Sequence, residues 1–420
     1  MTSRERVLCA IAHREPDKVP IDLGGMRSTG ITAVAYGNLK RYLGLTAGST
    51  DVYDVVQQLA QPEDSILDYF EADVIDLGRA FLTADDDWKD FTLPDGSAAK
   101  IPTYAGFEPD GSGGWQVRSS DRTIIGSMPE GAYYLSQTYF PLLDWEGQDL
   151  SALDTLPDMM ARVTWAALPT APWHKPLTGE HLADIRRRAK RLSETTDLAI
   201  MAGFGGNLLE WGQFLRRNDR FLMDLVESPK KAEALLDRLT GNHLENLEKF
   251  LDAVEGHVQI IQMGDDLGTQ LAPQISPQMY RRFFKPRHKL IFERIRRRSG
   301  LHLFLHSCGA IAPLLPDLIE TGVEIINPVQ TSARGMEPDT LKREFGKDLT
   351  FWGGGCDTQS VLPHGTEREI DEHVRRRFEI LAPGGGFVFT QVHNIMPNVP
   401  PQNIVAMIGA AKTYRRHYGS

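Results

Sequence analysis

The sequence predicts an α/β fold, specifically a (β/α)8 TIM barrel carrying an antiparallel β insertion, and three observations lead there. Short apolar or β-branched runs recur at Val19 to Leu23, Asp73 to Leu77, Leu198 to Ala202, Val258 to Met263, His302 to His306, Glu324 to Asn327, Thr350 to Gly353 and Phe387 to Gln391. Well-marked helix starts stand between the later runs, so strands alternate with helices and pair in parallel, and eight such units suggest a closed barrel. The turn after the first run, Gly24-Gly25-Met26-Arg27, is a poor match to the G-x-G-x-x-G pattern of the rival, an open doubly wound sheet.

The elements follow in order. Thr2 and Glu5 make a capping box for a first helix carrying Val7, Leu8 and Ile11, and Pro16 marks its end. Ser228-Pro229 and Ser276-Pro277 read as cap-plus-proline helix starts, and Thr366 with Glu369 as another capping box. Residues 79–143 interrupt the pattern. Turn signals there (Pro94-Asp95-Gly96 and Asp110 to Gly114) and aromatics from Trp88 to Phe140 read as antiparallel hairpins. Two roles stay open for them, capping the barrel mouth or packing their own aromatics. The expectation is one barrel domain over 1–420 with 79–143 as a subdomain inserted in it.

A chain of 420 residues, 41% hydrophobic and 24% charged, can bury a large core. The net charge of -10 argues against a nucleic-acid partner. The basic run Arg294 to Arg298 falls at a predicted helix end, where cations are favoured by the dipole. Three cysteines make no disulfide framework, and Cys9 reads as a small core residue. Neither a signal peptide nor an apolar run long enough to span a membrane is apparent, so a cytoplasmic protein is expected.

The chemistry concentrates at predicted strand ends. Side chains at i and i+2 of an extended segment share a side, so His306 and Cys308 can present nitrogen and sulfur to one metal ion. Cys356 and His393 follow later runs in similar settings. Local spacing fits no zinc finger, so a site made of these four requires the fold to converge them. Arg27, Asp76, Asn207, Asp265, Asp266, Gln270, Asn327 and Gln330 also fall at strand ends, where barrels gather functional groups. Asp265 and Asp266 are adjacent, so they point to opposite sides. One can orient a metal-bound histidine while the other caps a helix.

Nearly the whole chain resembles the uroporphyrinogen decarboxylase superfamily, which unites that decarboxylase with methyltransferases of corrinoid-dependent methyl metabolism. The resemblance is carried by Arg4-Glu5-Arg6-Val7-Leu8 with Pro16 to Pro20, by Gly264-Asp265-Asp266-Leu267-Gly268-Thr269-Gln270 ahead of Ile275-Ser276-Pro277, by His306-Ser307-Cys308-Gly309, and by His393-Asn394-Ile395 ahead of Pro400 to Ile404. It implies a (β/α)8 barrel. The His-x-Cys element is similar to the methyltransferase branch, in which that histidine and cysteine bind zinc; they match His306 and Cys308. The branch's third ligand is a cysteine in a Pro-Gly-Cys-Gly turn, where this chain has Gln391-Val392-His393-Asn394. The third ligand is thus His393, Cys356 or both, and a site closed by all four would be structural, since catalytic zinc keeps an open position.

The resemblance implies a zinc-dependent methyltransferase moving a methyl group between a small molecule (a methoxylated compound, a methylamine or a thiol) and a corrinoid (cobalamin). The corrinoid is expected on a partner protein. This chain lacks an Asp-x-His-x-x-Gly element, and the nearest string, Asp371 to Arg376, lies within a predicted helix. Asp265, Asp266 and Arg27 are the catalytic candidates. Asp76, Asn207, Gln270, Asn327 and Gln330 are the substrate-binding ones, and His306, Cys308, Cys356 and His393 the metal-binding ones. The alternative is a metal-free decarboxylase of a small carboxylic acid. The decarboxylase branch holds a tetrapyrrole with amino-terminal arginines; Arg27 is present, but the arginine expected four residues on is not, so a porphyrinogen is not the expected substrate. A non-enzymatic binding protein with structural zinc is the third option. Whether the insertion meets substrate or the second subunit of a homodimer stays open.

Overall fold

The computed structural model describes residues 1–45, 47–147 and 149–416. Its centre is a curled parallel sheet whose strands follow chain order: β1 (Val74–Asp76), β2 (Ala199–Gly205), β3 (Ile260–Gly264), β4 (His302–His306), β5 (Ile325–Asn327), β6 (Thr350–Trp352) and β7 (Phe387–Val388). The curl brings β7 back towards β1, and the run predicted as the first strand fills the gap. Ile21 bridges Phe389 in parallel, Phe389 N–H donates to Pro20 O at 2.9 Å, and Asp73 N–H donates to Ile21 O at 2.7 Å. Only this single-residue bridge forms where a strand over Val19 to Leu23 is predicted. Two features cut it short: Pro20 has no N–H to give, and the N–H of Ile21 goes to the Asp73 carboxylate at 2.8 Å instead of a backbone carbonyl.

Alternation along the strands sorts their residues into two layers. Val74, Ala199, Met201, Ile260, Phe304, Ile325, Trp352 and Val388 fill the barrel, and Val7, Ala10 and Ile11 of the helix Ser3–Ile11 join them from below as a plug. Burying Val7 and Ile11 contributes about 1.5–3 kcal/mol each. Leu303, Leu305, Ile326 and Phe351 point outward against the surrounding helices. The same alternation continues the inward series to Asp76, Gly264, His306 and Asn327 at the carboxyl ends of β1, β3, β4 and β5.

The helix signals hold locally. Capping boxes form at Thr2 with Glu5 and at Thr366 with Glu369, and Ser276 Oγ accepts from Met279 N–H at 3.2 Å. The Arg294 to Arg298 run ends the helix Lys285–Arg298, where Arg298 pairs with Glu248 at 3.1 Å and Asp252 at 2.6 Å. Asp371 to Arg376 lies within the helix Glu367–Leu381.

Within 79–143, Trp88–Thr92 pairs with Ala98–Pro102, and a second antiparallel sheet joins Phe107–Pro109, Trp115–Arg118, Ile124–Met128 and Ser136–Gln137. Phe91, Phe107 and Trp115 pack on one another, with centroids 4.8 Å apart for Phe91 and Trp115, while Tyr134 Oη reaches Met396 Sδ at 3.0 Å, three residues past His393. The excursion from the barrel runs on through the short helices Leu156–Ala161 and Thr164–Ala167 before the helix Gly179–Thr195 leads into β2. A further small sheet of Ile31–Thr32, Leu59–Ala60 and Val52–Asp54 has no counterpart in the sequence expectations. No helix among the described residues is long and apolar enough to cross a membrane.

Candidate metal centre

His306 ends β4 on the inward-facing series, and Cys308 follows two residues later on the same side. Cys308 Sγ lies 3.4 Å from His306 Nε2. The chain after β7 brings His393 to them, its ring centroid 5.7 Å from that of His306. One donor atom from each of the three residues lies within 4.8 Å of the others. Donors about 2.0–2.3 Å from a shared tetrahedral ion are separated by roughly 3.3–3.8 Å, so small side-chain adjustments bring the group to ligating distance. Two imidazoles and a thiol suit zinc and its transition-metal neighbours, not magnesium or calcium. His393 makes no hydrogen bond among the described residues, and burial beside His306 pushes its pKa down to about 4, so it is neutral and able to ligate at pH 7. Burial, with Asp266 next in effect, holds the Cys308 thiol well above its ordinary range in the metal-free protein.

Polar groups ring this centre. Ser28 Oγ is 3.3 Å and Asp266 Oδ1 3.6 Å from His306 Nε2, and Asp266 Oδ1 accepts from Cys308 N–H at 2.8 Å. On the far side of the ring, His306 Nδ1 is 2.7 Å from Asn327 Oδ1. Arg27 precedes Ser28; its Nε is 2.9 Å from Asp54 Oδ2, and its guanidinium carbon stands 5.4 Å from the Trp165 ring centroid.

The other predicted residues take various positions. Asp265 is fully buried and does not share the mouth with Asp266. Its oxygens accept from the N–H groups of Leu208, Leu209 and Glu210 at 2.9–3.2 Å, with His288 Nε2 at 3.2 Å. It caps the helix Leu209–Arg216, the helix-capping role expected of one member of the adjacent pair. Cys356 is corrected out of the convergent group. It is wholly buried in the layer between barrel and helices, with Asp357 O at 3.9 Å from its sulfur. Asn327 sits behind His306. Gln330 accepts from Gly309 N–H at 2.8 Å and donates to Gln270 Oε1 at 2.8 Å, while Gln270 donates to Ser332 O at 2.6 Å, so the two glutamines brace the loops at the rim. Asn207 donates to Glu210. Asp76 lines a narrow cavity with Tyr53, Gln61 and Arg79, and burial raises its pKa to about 7.

Glu210 escaped the sequence reading. Its Oε2 accepts from Asp266 N–H at 3.1 Å, and burial, then Asp266 and Asp265, push its carboxyl well above the usual carboxylate range. In the sequence it is an acidic residue at a helix start, which the dipole favours on any surface helix.

The sequence pattern of the family described as uroporphyrinogen decarboxylase (URO-D) matches residues 186–414, more than half of the chain. This protein belongs to the uroporphyrinogen decarboxylase family. Among curated relatives, a uroporphyrinogen decarboxylase of Magnetococcus marinus is 23% identical over 195 residues, covering 45% of this chain. The match spans only half the length of that relative (50%). Among solved structures, a methyltransferase from Methanosarcina mazei superposes over 99% of both chains with a TM-score of 0.57 and 17% identity. At that identity the likeness speaks for the fold.

Proposed function

We propose that this member of the URO-D family is a zinc-dependent methyltransferase that moves a methyl group between a small molecule and a corrinoid carried by a partner protein. The observation that carries the reading is the convergence of His306, Cys308 and His393 at the barrel mouth. Three protein ligands leave the fourth position open, as catalytic zinc sites do. The structural likeness to the M. mazei methyltransferase agrees with this choice within the family. When bound, zinc supplies Lewis acidity towards a methoxy oxygen or a thiol acceptor.

The chain's own groups supply the rest. Asp266, anchored to Cys308 N–H, and Ser28 border the open side of His306. Glu210, whose carboxyl burial and then Asp266 push well above the usual range, stands beside Asp266 as the group to give a proton to a departing oxygen. Arg27, next to Ser28 in the chain and paired with Asp54, is the cation we assign to an acidic group of the substrate.

Metal content and a transfer assay test the proposal. Purified protein should hold about one zinc per chain and demethylate some member of a panel of methoxylated aromatics, methylamines and thiols in the presence of a corrinoid protein. Cys308→Ser should lose both properties with its circular dichroism unchanged. The family relationship and Arg27 favour one second reading, metal-free decarboxylation of a small acid. Zinc-free protein that releases carbon dioxide from such an acid would establish that reading instead.

A further inference from the structure

Asn327 and His306 are register partners on the adjacent strands β4 and β5, so their side chains project from one level of the barrel wall. Asn327 is fully buried. Its Nδ2 lies 2.8 Å from Trp352 O. A carbonyl oxygen can only accept, so the NH2 side of the amide must face Trp352 and Oδ1 must face His306. Gly353 has a φ of +107°, and a Cβ there would come within 3.3 Å of Asn327 Nδ2. The indole of Trp352 is itself tied to Asp22 Oδ2 at 2.8 Å, and the backbone carbonyl of Asn327 accepts from Ser307 N–H at 2.7 Å.

An oxygen fixed 2.7 Å from Nδ1 demands a proton on that nitrogen. The lone pair of the neutral imidazole therefore sits on Nε2, the nitrogen that faces Cys308 Sγ at 3.4 Å and Ser28 Oγ at 3.3 Å. Both neighbours carry a hydrogen they can direct at that lone pair while no ion takes it. We infer that Asn327 is a positioning residue that sets the tautomer of His306 and so makes Nε2 its metal ligand. The inference rests on the metal-centre reading above and moves Asn327 from the substrate-binding candidates to support of a ligand.

Two variants and one measurement on the unaltered chain test it. Asn327→Asp keeps an acceptor for Nδ1–H and loses the donor to Trp352 O; Asn327→Leu loses both. Zinc affinity, measured against a competing chelator, should fall about 10–100-fold in Asn327→Leu and stay level or tighten in Asn327→Asp. Equal weakening in both variants would mean that Asn327 matters only as the anchor of Trp352 and would overturn the inference. Since Asn327→Leu can fail to fold, 15N spectra of labelled histidine in the metal-free parent protein, assigned with His306→Gln, give a separate readout. A proton on Nδ1 supports the inference, and a proton on Nε2 overturns it. Parent protein that binds no zinc while His306 still carries its proton on Nδ1 would defeat the metal reading and leave the tautomer assignment standing.

Discussion

At the floor of the barrel, Arg6 and Arg415 share the buried carboxylate of Asp73; at the mouth, Glu210 and Asp266 stand together with no arginine or lysine paired to them among the described residues. The floor contacts are close and complete. Arg6 Nη1 is 2.6 Å from Asp73 Oδ1 and its Nε 2.8 Å from Asp17 Oδ1, while Arg415 binds Asp73, Glu71 and the carbonyl of Val19. Each cation meets an anion, and the network joins the first helix, β1, the Ile21 bridge and the chain's end. Asp265, buried behind the mouth, has its partners in a helix start and His288. Burial raises the Glu210 carboxyl well above its usual range, keeps His393 neutral, and holds the Cys308 thiol well above its own ordinary range. Charges satisfied on the spot build stability, whereas polar groups left with spare capacity mark the end where a ligand completes the set.

Paired substitutions should separate the two ends. Cys308→Ser at the mouth should lower methyl transfer by on the order of 10³ or more, the several kcal/mol that a Lewis acid contributes, with little change in melting temperature. Asp73→Asn at the floor should leave zinc affinity unchanged but destabilise the fold by about 3–5 kcal/mol, because buried guanidinium groups lose their shared anion. Denaturant melts alongside zinc titration of both variants check this. A Cys308→Ser protein that unfolds, or an Asp73→Asn protein that sheds zinc, would erase the contrast.

Much of this arrangement is legible from strand periodicity. The run His302 to His306 is the observed β4, and the i, i+2 rule correctly puts His306 and Cys308 on one side. The rule fails where the chain leaves its extended path. Gly353 and Gly354 have φ of +107° and +75°, a conformation that reorients everything after them, so the side taken by Cys356 could not be counted from Trp352. Alternation likewise says that Asp265 and Asp266 diverge without saying which one turns inward to cap a helix that precedes it by more than forty residues in the chain. The closure at Ile21 depends on a side-chain acceptor, Asp73, which has no sequence period.

The carboxyl of Asp22 refines the comparison by pH. It sits inside the barrel between Trp352 Nε1 and Gly25 N–H, each 2.8 Å away, and burial raises its pKa to about 6. A carboxyl whose folded value lies above its unfolded value of about 3.9 binds more protons in the native state, so it contributes stability below about pH 4 that is lost as pH rises to about 6. Asp22→Asn cannot ionise. It should be less stable than the parent at pH 4, having one acceptor fewer, and the gap should narrow by about 2 kcal/mol by pH 6. Melting both proteins at intervals across that window decides the matter, and a gap that stays constant would show that Asp22 does not change its protonation there.

The smallest effect expected is at Cys356, and it bears on which sulfur belongs to the centre. Its side chain packs among apolar residues, with the Asp357 carbonyl 3.9 Å from its sulfur, and burial holds the thiol well above its ordinary range. A metal-binding sulfur has to give up that proton and face the ion. Cys356→Ala should therefore cost about 1 kcal/mol of stability for the lost packing and leave zinc content and affinity as they are. If this substitution weakens zinc as strongly as Cys308→Ser does, the strand-end turn at Gly353 to Gly355 must rearrange on metal binding to bring in a fourth protein ligand. A closed site of that kind would hold the mouth together, and the mouth would then resemble the floor.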